Sequence, residues 1–488
     1  MAKRVAVIDI GSSSIRLAVY EKTSRFAFHL LNETKSKVRL SQNAYQNSDM
    51  LQEEAILRTI KALKDFLTII SSYKARKTLC VATSALREAP NKKEFISRVK
   101  KELNLNIKVI DGQREAYLGG IACANLLPSQ KNAISIDIGG GSTELALIDD
   151  KDISGTFSIN LGTIRIKELF FDSKKSDEAI KYIDSKLEVL NDLSIDTLVG
   201  LGGTFRAIST AIQKNKKYPL HKIHAYSYEG SELDSFIVSI LDANTKELKE
   251  LGIKSDRFDI IKPGALILQR VLKKLSIKKA ITSGVGVREG VFLSDFLRGS
   301  KDKLPQNYNT SMRYIIDTHV GELKFANSLN DLVKKIFDLT YIHLGIDKQY
   351  RQDLAMAAKL YPSGGGVHFY SKNKHSYYII QSALEYGVTH KQITLISTLC
   401  KYAKKKLPSS SHLSKYALLL PDKQTTDALS YMLSLSLSLL VHRPRNIDFD
   451  LTFCDGVLKI KTKEDLYLCK EVVMKLEPIE HLKTEFET

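Results

Sequence analysis

The segment IDIGGGSTELAL, residues 136–147, places an aspartate, three consecutive glycines and two hydroxyl side chains between two apolar runs. The segment IDIGSSSIRLAV, residues 8–19, repeats this pattern near the start of the chain. Aligning the two segments gives the identical pairs Ile8/Ile136, Asp9/Asp137, Ile10/Ile138, Gly11/Gly139, Ser14/Ser142, Leu17/Leu145 and Ala18/Ala146. Each copy predicts a β-hairpin, with strands at 4–10 and 15–21 and again at 133–138 and 144–149. The repeat therefore predicts two related subdomains.

Strand and helix patterns alternate after each hairpin. Behind the first hairpin come an amphipathic helical stretch at 47–75, a strand in TLCVATSA, a helix near 91–104 and a strand in IKVID. Behind the second come helix 175–190, a strand in DTLVGLGG, helix 204–214, a long helix 231–250 and a strand near KKAITSGVG. This alternation predicts an α/β class in which helices cover the sheets.

The small residues of the two turns suit an anion. Glycine has no Cβ to keep an anion from the backbone, so successive N–H groups can point into one concavity. Ser142 and Thr143 add hydroxyl donors beside the glycines. A plain glycine-rich hairpin is the alternative, but it requires neither an aspartate before the turn nor a second copy. The P-loop and Rossmann glycine patterns do not occur in the sequence.

Composition limits the remaining choices. With 488 residues, 43% of them hydrophobic, the chain is expected to fold as several globular domains. The formal charge of +18 favours an anionic partner, although a generally basic proteome would explain it equally well. The 5 cysteines include no C-x-x-C pair, so neither zinc nor a disulfide framework is indicated. The longest apolar tract, residues 431–441, is shorter than the roughly 20 residues that span a bilayer, and we expect a cytoplasmic protein without a membrane partner.

The ordered set of motifs resembles the exopolyphosphatase and guanosine pentaphosphate phosphatase (Ppx/GppA) family, within the superfamily of actin, Hsp70 and the sugar kinases. The matching segments are IDIGSSSIRL, VRL at 38–40, ATSALREAPN at 82–91, VIDGQREAYLGG at 109–120, IDIGGGSTEL, LGGT at 201–204, RFDIIKPGA at 257–265 and TSGVGVREG at 282–290. The resemblance implies α/β architecture with duplicated ribonuclease H-like lobes at 1–124 and 125–300. An all-helical HD-like domain at 301–442 and a small α+β cap at 443–488 would follow.

The resemblance also implies a reaction. The family removes the terminal phosphate of inorganic polyphosphate or of pppGpp, giving ppGpp, in a cleft between the lobes with Mg²⁺. It makes Glu115, in REA, the catalytic glutamate that activates water. From spacing alone, a carboxylate that stabilises a helix N-terminus is the preferred interpretation of Glu115, with an ordinary pKa near 4.3, and the resemblance reverses this preference.

The remaining site residues fall into two groups. The expected phosphate-binding residues are Gly11, Ser12, Ser13, Ser14, Arg16, Arg87, Gly139, Gly140, Gly141, Ser142, Thr143 and Arg257. The expected Mg²⁺ ligands are Asp9, Asp137 and Glu144, since hard oxygen ligands suit this ion. Turn capping by the aspartates and surface ion pairs for Arg87 and Arg257 are the alternatives. Arg16 occupies the repeat position of Glu144, so the two copies differ in charge there.

Two other functions remain open from the sequence. A binding protein that senses polyphosphate or guanosine phosphates without turnover would use the same turns, and so would a phosphotransferase of the same fold. A homodimer is compatible with the sequence, and no nucleic-acid partner is expected.

The C-terminal third departs from an active HD domain. No His-Asp pair occurs in the chain, and Tyr361 and Pro362 stand where it would fall, so no second metal site is expected. Lysines are compatible with a basic wall instead: Lys401, Lys404, Lys405 and Lys406 cluster at one predicted helix end, with Lys372 and Lys374 elsewhere. A solvated helix end whose cations suit the helix dipole is the alternative, and for any single lysine it is the favoured one. Residues 432–440, MLSLSLSLL, alternate like a strand, whereas the resemblance implies a buried helix.

Overall fold

The computed structural model describes residues 3–44 and 47–487. It divides into two compact units, Met1–Tyr308 and Asn309–Thr488. Across the described ranges, no helix combines the length and the apolar character needed to cross a bilayer.

The first unit contains two sheets with helices on their faces. The first lobe consists of β1 (Arg4–Ile10), β2 (Ile15–Lys22), β3 (Phe28–Ser36), α1 (Glu53–Ser72), β4 (Lys77–Ala82), α2 (Ser84–Glu88), α3 (Lys92–Leu103), β5 (Lys108–Val109) and α4 (Gly112–Leu126). The second lobe consists of β6 (Ala133–Ile138), β7 (Thr143–Asp149), β8 (Asp152–Ile159), α5 (Thr163–Ile166), α6 (Ser176–Lys186), β9 (Thr197–Leu201), α7 (Gly202–Asn215), β10 (Tyr226–Glu229), α8 (Gly230–Asp242), α9 (Thr245–Glu250), α10 (Ile261–Leu275), β11 (Lys279–Thr282) and α11 (Val287–Phe296).

The two sheets share one strand order. The first is β3-β2-β1-β4-β5, and the second repeats it as β8-β7-β6-β9-β11 with β10 added at the edge. In both, the opening hairpin is antiparallel and the next strand pairs parallel to the first. Asp9 lies opposite Arg16 in one hairpin, and Asp137 lies opposite Glu144 in the other. The duplicated α/β fold that the sequence predicts is therefore confirmed.

Two helices connect the lobes by packing against the sheet of the other lobe. Helix α4 follows β5 of the first sheet but packs on β6, β7 and β8 of the second. Helix α11 follows β11 of the second sheet but packs on β1 of the first and on α4. At the crossing, a Cβ on Gly290 would lie 1.9 Å from the carbonyl oxygen of Leu118. Only a glycine at this position allows the two helices to approach so closely.

One predicted helix is interrupted in the structure. Residues 231–250 form α8 and α9 rather than one long helix, because the backbone at Ala243 is extended. Asn244 then caps the new helix: its side chain accepts from the backbone N–H of Lys246 and Glu247, and the Glu247 side chain accepts from the Asn244 N–H. This reciprocal capping stabilises a new helix start, and an amphipathic pattern alone does not reveal it.

The second unit is helical and ends in a small sheet. Its elements are α12 (Thr310–His319), α13 (Leu323–Thr340), α14 (Tyr350–Leu360), α15 (Lys372–Ala383), α16 (His390–Tyr402), α17 (Ser410–Lys415), α18 (Lys423–Leu439), β12 (Phe449–Cys454), β13 (Val457–Thr462), α19 (Tyr467–Val473) and β14 (Lys483–Glu487). The three strands form one sheet in which β13 is central. A helical domain followed by a small α+β cap was expected, and both are present.

The ambiguous segment 432–440 lies within the helix α18 and its C-terminal cap. The helix is buried on almost all sides, so the alternation of leucine and serine does not separate an inner from an outer face. Ser436 and Ser438 donate to the carbonyl oxygens of Met432 and Ser434, each at 2.8 Å. These bonds satisfy buried hydroxyl groups within the helix, which explains why serine is tolerated there.

The helix crossing generates the first prediction. Replacing Gly290 by Ala forces α4 and α11 apart, and we expect the free energy of unfolding to fall by about 1–3 kcal/mol, the usual cost of overpacking. The matched control is Gly299→Ala, since a Cβ on Gly299 meets nothing within 4 Å. Thermal or urea unfolding of both variants measures the difference. Equal stability of the two would contradict the close contact at the crossing.

Candidate active site

The turns of the two hairpins have the same geometry and face each other. The Gly11 N–H donates to the Ser14 carbonyl oxygen at 3.2 Å, and the Gly139 N–H donates to the Ser142 carbonyl oxygen at 2.9 Å. A Cβ on Gly140 would lie 2.9 Å from the Cβ of Ser12 in the other lobe. The glycine therefore allows the two turns to approach each other, and they form opposite walls of one cleft.

The cleft holds a cavity of about 470 Å³. The expected site residues that line it are Asp9, Gly11, Ser12, Ser13, Ser14, Arg16, Glu115, Asp137, Gly139, Gly140, Ser142, Glu144 and Arg257. Three others lie elsewhere. Thr143 is fully buried and its hydroxyl donates to the Leu161 carbonyl oxygen at 2.5 Å, while the Gly141 carbonyl oxygen accepts from Arg165 Nε at 3.0 Å. Arg87 does not line the cavity, but its guanidinium contacts the lining residues Glu115, Ser142 and Glu144.

Glu115 lies in the first turn of α4. Asp111 caps this helix by accepting from the Arg114 N–H at 2.7 Å, which fixes the turn that carries Glu115. The side chain is directed into the cleft and the residue is only 9% exposed. Glu115 thus lies at a helix N-terminus, as the alternative interpretation has it, and its side chain is also buried at the cleft.

Arg87 connects the two lobes at Glu115. Its Nη1 donates to Glu115 Oε2 at 3.0 Å and to the Ile110 carbonyl oxygen at 3.2 Å. Its Nη2 donates to Ser142 Oγ at 3.3 Å and lies 3.6 Å from Glu144 Oε1. Arg87 and Glu115 belong to the first lobe, whereas Ser142 and Glu144 belong to the second. One guanidinium therefore holds two buried carboxylates and the turn of the opposite wall.

The two carboxylates are hard to ionise together. Burial raises the pKa of Glu115 well above its ordinary value, the nearby Glu144 raises it further, and Arg87 opposes both effects. Burial also raises the pKa of Glu144 to about 7. The ordinary glutamate pKa assumed from the sequence is therefore wrong for Glu115, because a sequence does not show how far a side chain is removed from water.

The aspartates of the two hairpins also have raised pKa values. Burial raises the pKa of Asp9 to about 6, against the opposing effect of Arg288 and Arg16, and burial raises the pKa of Asp137 as well. Within the described residues, no group of three His, Cys, Asp or Glu side chains lies close enough to hold a metal alone. Mg²⁺ is commonly held by one or two carboxylates together with substrate phosphates. Asp9 and Asp137, two partly exposed carboxylates that line the same cavity, fit that kind of site.

The mouth of the cleft is strongly basic. Burial and the nearby guanidinium groups of Arg16 and Arg257 lower the pKa of Lys35 to about 8. Lys37 is partly neutralised, since its Nζ lies 2.5 Å from Asp256 Oδ2. Several cations thus lie close together, and nearby carboxylates neutralise only some of them. This arrangement indicates a binding place for an anion.

Several lining residues were missed in the sequence. They are Lys35, Lys37, Arg39, Arg206, Arg288 and Glu289. The alternation of basic residues at 35, 37 and 39 is a signal the sequence contains, although the strand ends at Ser36 and Arg39 has a positive φ of 47°. Arg206 and Arg288 lie within or directly beside quoted motifs, but only the packing of α7 and α11 against the cleft brings them to it.

Comparison with protein families supports the resemblance seen in the sequence. A model described as the Ppx/GppA phosphatase family matches residues 18–299. A second model, described as Ppx/GppA phosphatase, domain III, matches residues 309–478.

Curated relatives include proteins with different names. The chain is 33% identical over 287 residues to a "Bifunctional 3-dehydroquinate synthase/phosphatase" of Fusobacterium nucleatum, a match that covers 55% of this chain and 43% of that protein. It spans less than half the length of this relative. It is 26% identical over 414 residues to a "Guanosine-5'-triphosphate,3'-diphosphate pyrophosphatase" of Pseudoalteromonas atlantica, covering 81% of this chain and 78% of that protein.

Solved structures share the fold over about three fifths of the chain. The Aquifex aeolicus member of the Ppx/GppA protein family matches with a TM-score of 0.54 and 27% identity, covering 62% of this chain and 99% of that one. An exopolyphosphatase from Cytophaga hutchinsonii matches with a TM-score of 0.56 and 25% identity, covering 62% of this chain and 100% of that one.

The shared guanidinium generates a prediction about stability. Arg87→Met leaves two buried carboxylates without their cation, and we expect a loss of roughly 3–5 kcal/mol at neutral pH. Because the pKa of Glu115 is raised in the folded state, the folded protein binds more protons than the unfolded chain, so stability falls as the pH rises. Without Arg87 the pKa of Glu115 rises further, so the protein loses more stability as the pH rises.

Thermal unfolding between about pH 5 and about pH 8 measures this effect. The difference in melting temperature between Arg87→Met and the unchanged protein should grow with pH. The control is Arg298→Met, which removes an exposed arginine paired with Asp295 and should cost less than about 1 kcal/mol. A pH-independent difference would mean that Arg87 does not stabilise the ionised carboxylates.

Proposed function

The chain belongs to the Ppx/GppA phosphatase family, and we propose that it is a phosphoanhydride hydrolase that removes the terminal phosphate of inorganic polyphosphate, of pppGpp, or of both. The observation that carries this proposal is the buried Glu115, held by Arg87 at 3.0 Å in a cavity between two anion-binding turns. The names of relatives support the substrate class: one is a guanosine pentaphosphate pyrophosphatase and a structural neighbour is an exopolyphosphatase.

The two turns would hold the terminal phosphate. The turn at Gly11–Ser14 offers backbone N–H groups and hydroxyls from one lobe, and Gly139, Gly140 and Ser142 offer them from the other. Hydrogen bonds to charged oxygens are worth about 1.5–3 kcal/mol each, so donors on both walls would fix the phosphoryl group in position. A phosphoryl group held this way is oriented for in-line attack, which is the main requirement of phosphoryl transfer.

Glu115 would act as the general base. A water molecule attacks the terminal phosphorus, its proton passes to the Glu115 carboxylate, and the bond to the bridging oxygen breaks so that the shortened chain leaves with the electron pair. The raised pKa of Glu115 suits this role, because a base whose pKa approaches the working pH accepts a proton more readily. Arg87 keeps the carboxylate in place and attracts negative charge from the phosphate.

Asp9 and Asp137 are the residues that would hold Mg²⁺ in this cleft. When bound, the ion would neutralise charge on the phosphate oxygens. Glu144 is less suited to this role than the sequence suggested. It lies 3.6 Å from the Arg87 guanidinium and accepts from Ser158 Oγ at 3.1 Å, so both partners already stabilise it.

The basic mouth would hold the remainder of the substrate. Arg16, Lys35 and Arg257 line the cavity together, and burial, followed by repulsion from the two guanidinium groups, lowers the pKa of Lys35. A polyanionic tail would relieve this repulsion, whereas a neutral substrate would not. Both polyphosphate and the phosphate tail of pppGpp have the required charge.

Glu115→Gln tests the proposed base. We expect kcat for phosphate release to fall by about 10²–10⁴-fold, because the amide cannot accept the proton, while KM changes little. Release from pppGpp and from long polyphosphate is measured at matched concentrations. The control is Glu94→Gln, an exposed glutamate of α3, which should leave both parameters unchanged. Intact turnover in Glu115→Gln would exclude Glu115 as base. Binding of either compound without turnover by the unchanged protein would indicate a sensor.

Removal of divalent cations tests the metal proposal. A chelator should stop phosphate release, and added Mg²⁺ should restore it. In Asp9→Asn, the Mg²⁺ concentration that gives half-maximal rate should rise by roughly tenfold or more, since one charged ligand is lost. Asp65→Asn, at an exposed position of α1, is the matched control. Full activity in the presence of the chelator would contradict a role for the ion.

A further inference from the structure

Helix α5 holds the glycine turn of the second lobe by its carbonyl groups. The carbonyl oxygens of the first two glycines of residues 139–141 accept from backbone N–H groups of α5 at 2.9 Å to 3.1 Å. The carbonyl oxygen of Gly141 accepts from a side chain instead, Arg165 Nε, at 3.0 Å. A Cβ on Gly162 would lie 2.3 Å from the carbonyl oxygen of Gly140, so α5 begins in direct contact with the turn. All three glycine carbonyl groups therefore point towards α5.

These carbonyl groups fix the direction of three N–H groups. The C=O and N–H of a planar trans peptide point in opposite directions, so the N–H groups of Gly140, Gly141 and Ser142 point away from α5. Gly140 and Ser142 line the cavity of the cleft. The bond from Arg165 to the Gly141 carbonyl oxygen thereby sets the direction of the Ser142 N–H.

The first lobe offers an internal comparison, since its turn at residues 11–14 is the other copy of this structure. Ser13 is the counterpart of Gly141, and its carbonyl oxygen accepts from the Arg39 N–H at 3.0 Å. The carbonyl group is thus held in both copies and at the same distance. The backbone holds it in the first lobe, whereas the Arg165 side chain holds it in the second. A single substitution can therefore release it in the second lobe.

Arg165 is itself held by the first lobe. Its Nη2 donates to Glu88 Oε2, and the two side chains are only 13% and 20% exposed. An ion pair shielded from water in this way fixes a guanidinium more firmly than a surface pair does. Glu88 directly follows Arg87, whose Nη2 donates to Ser142 Oγ at 3.3 Å. Two consecutive residues of α2 thus hold the same turn, Arg87 directly and Glu88 through Arg165.

We propose that Arg165 is a positioning residue of the phosphatase site, which keeps the Ser142 N–H directed at the terminal phosphoryl group, and that Glu88 acts through it. This inference rests on the proposed function. Donors that meet developing charge have to be in place before the reaction, and a displacement of about 1 Å can cost about 10²-fold in rate. The basic mouth of the cleft would still hold the rest of the substrate, so the loss should fall on kcat rather than on KM.

Arg165→Met tests this role in turnover. We expect kcat for phosphate release to fall by about 10–100-fold, with less than about a threefold change in KM. The matched control is Arg270→Met, which removes another arginine of the second lobe that is paired with a carboxylate, Asp184, at 2.6 Å but does not line the cavity. The control should keep both parameters. Circular dichroism and thermal unfolding establish that each variant is folded at the assay temperature.

Arg165→Lys separates positioning from a purely structural role. Lysine has a methylene group where arginine has Nε, so it can pair with Glu88 but cannot donate to the Gly141 carbonyl oxygen from that position. We expect this variant to melt close to the temperature of the unchanged protein and to have a kcat as low as that of Arg165→Met. Recovery of kcat together with stability would mean that the ion pair alone matters, which would overturn the proposal.

A double-mutant cycle tests the part of Glu88. Glu88→Gln should lower kcat by about threefold or more in the unchanged protein, and it should lower kcat no further in Arg165→Met, since Glu88 acts through Arg165. The same loss in both backgrounds would contradict this.

Crystal structures of the unchanged protein and of Arg165→Met, each soaked in inorganic phosphate, test the geometry without turnover. We expect phosphate within hydrogen-bond distance of the Ser142 N–H in the unchanged protein, and a rotated 141–142 peptide without this contact in Arg165→Met. The same contact in both proteins, or no phosphate at Ser142 in either, would overturn the positioning role. An unchanged protein that binds phosphate there but releases none from pppGpp or polyphosphate would contradict the proposed function, and the two structures would still decide the role of Arg165.

Discussion

Two buried carboxylates that share one guanidinium are the interaction on which the cleft depends. Glu115 and Glu144 come from different lobes, and Arg87 lies within 3.6 Å of both. Removing two acids from water is unfavourable unless a cation accompanies them, so the pair is stable only while the lobes stay together around Arg87. The same arrangement raises the pKa of Glu115 and directs its side chain into the cavity between the two turns. Structural stability and chemical reactivity thus have one physical origin here.

Gene duplication alone would give two similar lobes, but the cleft needs them to differ. Both hairpins keep an aspartate before the turn, yet the residue opposite it is Arg16 in one and Glu144 in the other. One wall therefore contributes a cation and the other an anion that pairs with Arg87. The exchange of α4 and α11 between the sheets, with Gly290 at their contact, fixes these unlike walls face to face.

The second unit contains a cavity of its own, with an apolar interior and lysines along its lining. The leucines of α18 provide part of this interior because their helix is buried on nearly all sides. A buried helix of this kind is stabilised by packing rather than by an amphipathic face, and Ser436 and Ser438 satisfy their hydroxyls on its own backbone.

The sequence by itself determined the duplicated hairpins, the α/β class and the glycine turns, because local periodicity and turn chemistry are properties of neighbouring residues. It also identified the two hairpin turns that form opposite walls of the cleft, since Asp9, Asp137 and the turns repeat. Only the tertiary structure decided that Arg87 meets both Glu115 and Glu144, that Thr143 is turned towards Leu161, and that α8 ends before Asn244. It likewise decided the raised pKa of Glu115 and the helical state of residues 432–439. These features depend on burial and on contacts between residues far apart in the chain, and neither is encoded in a local pattern.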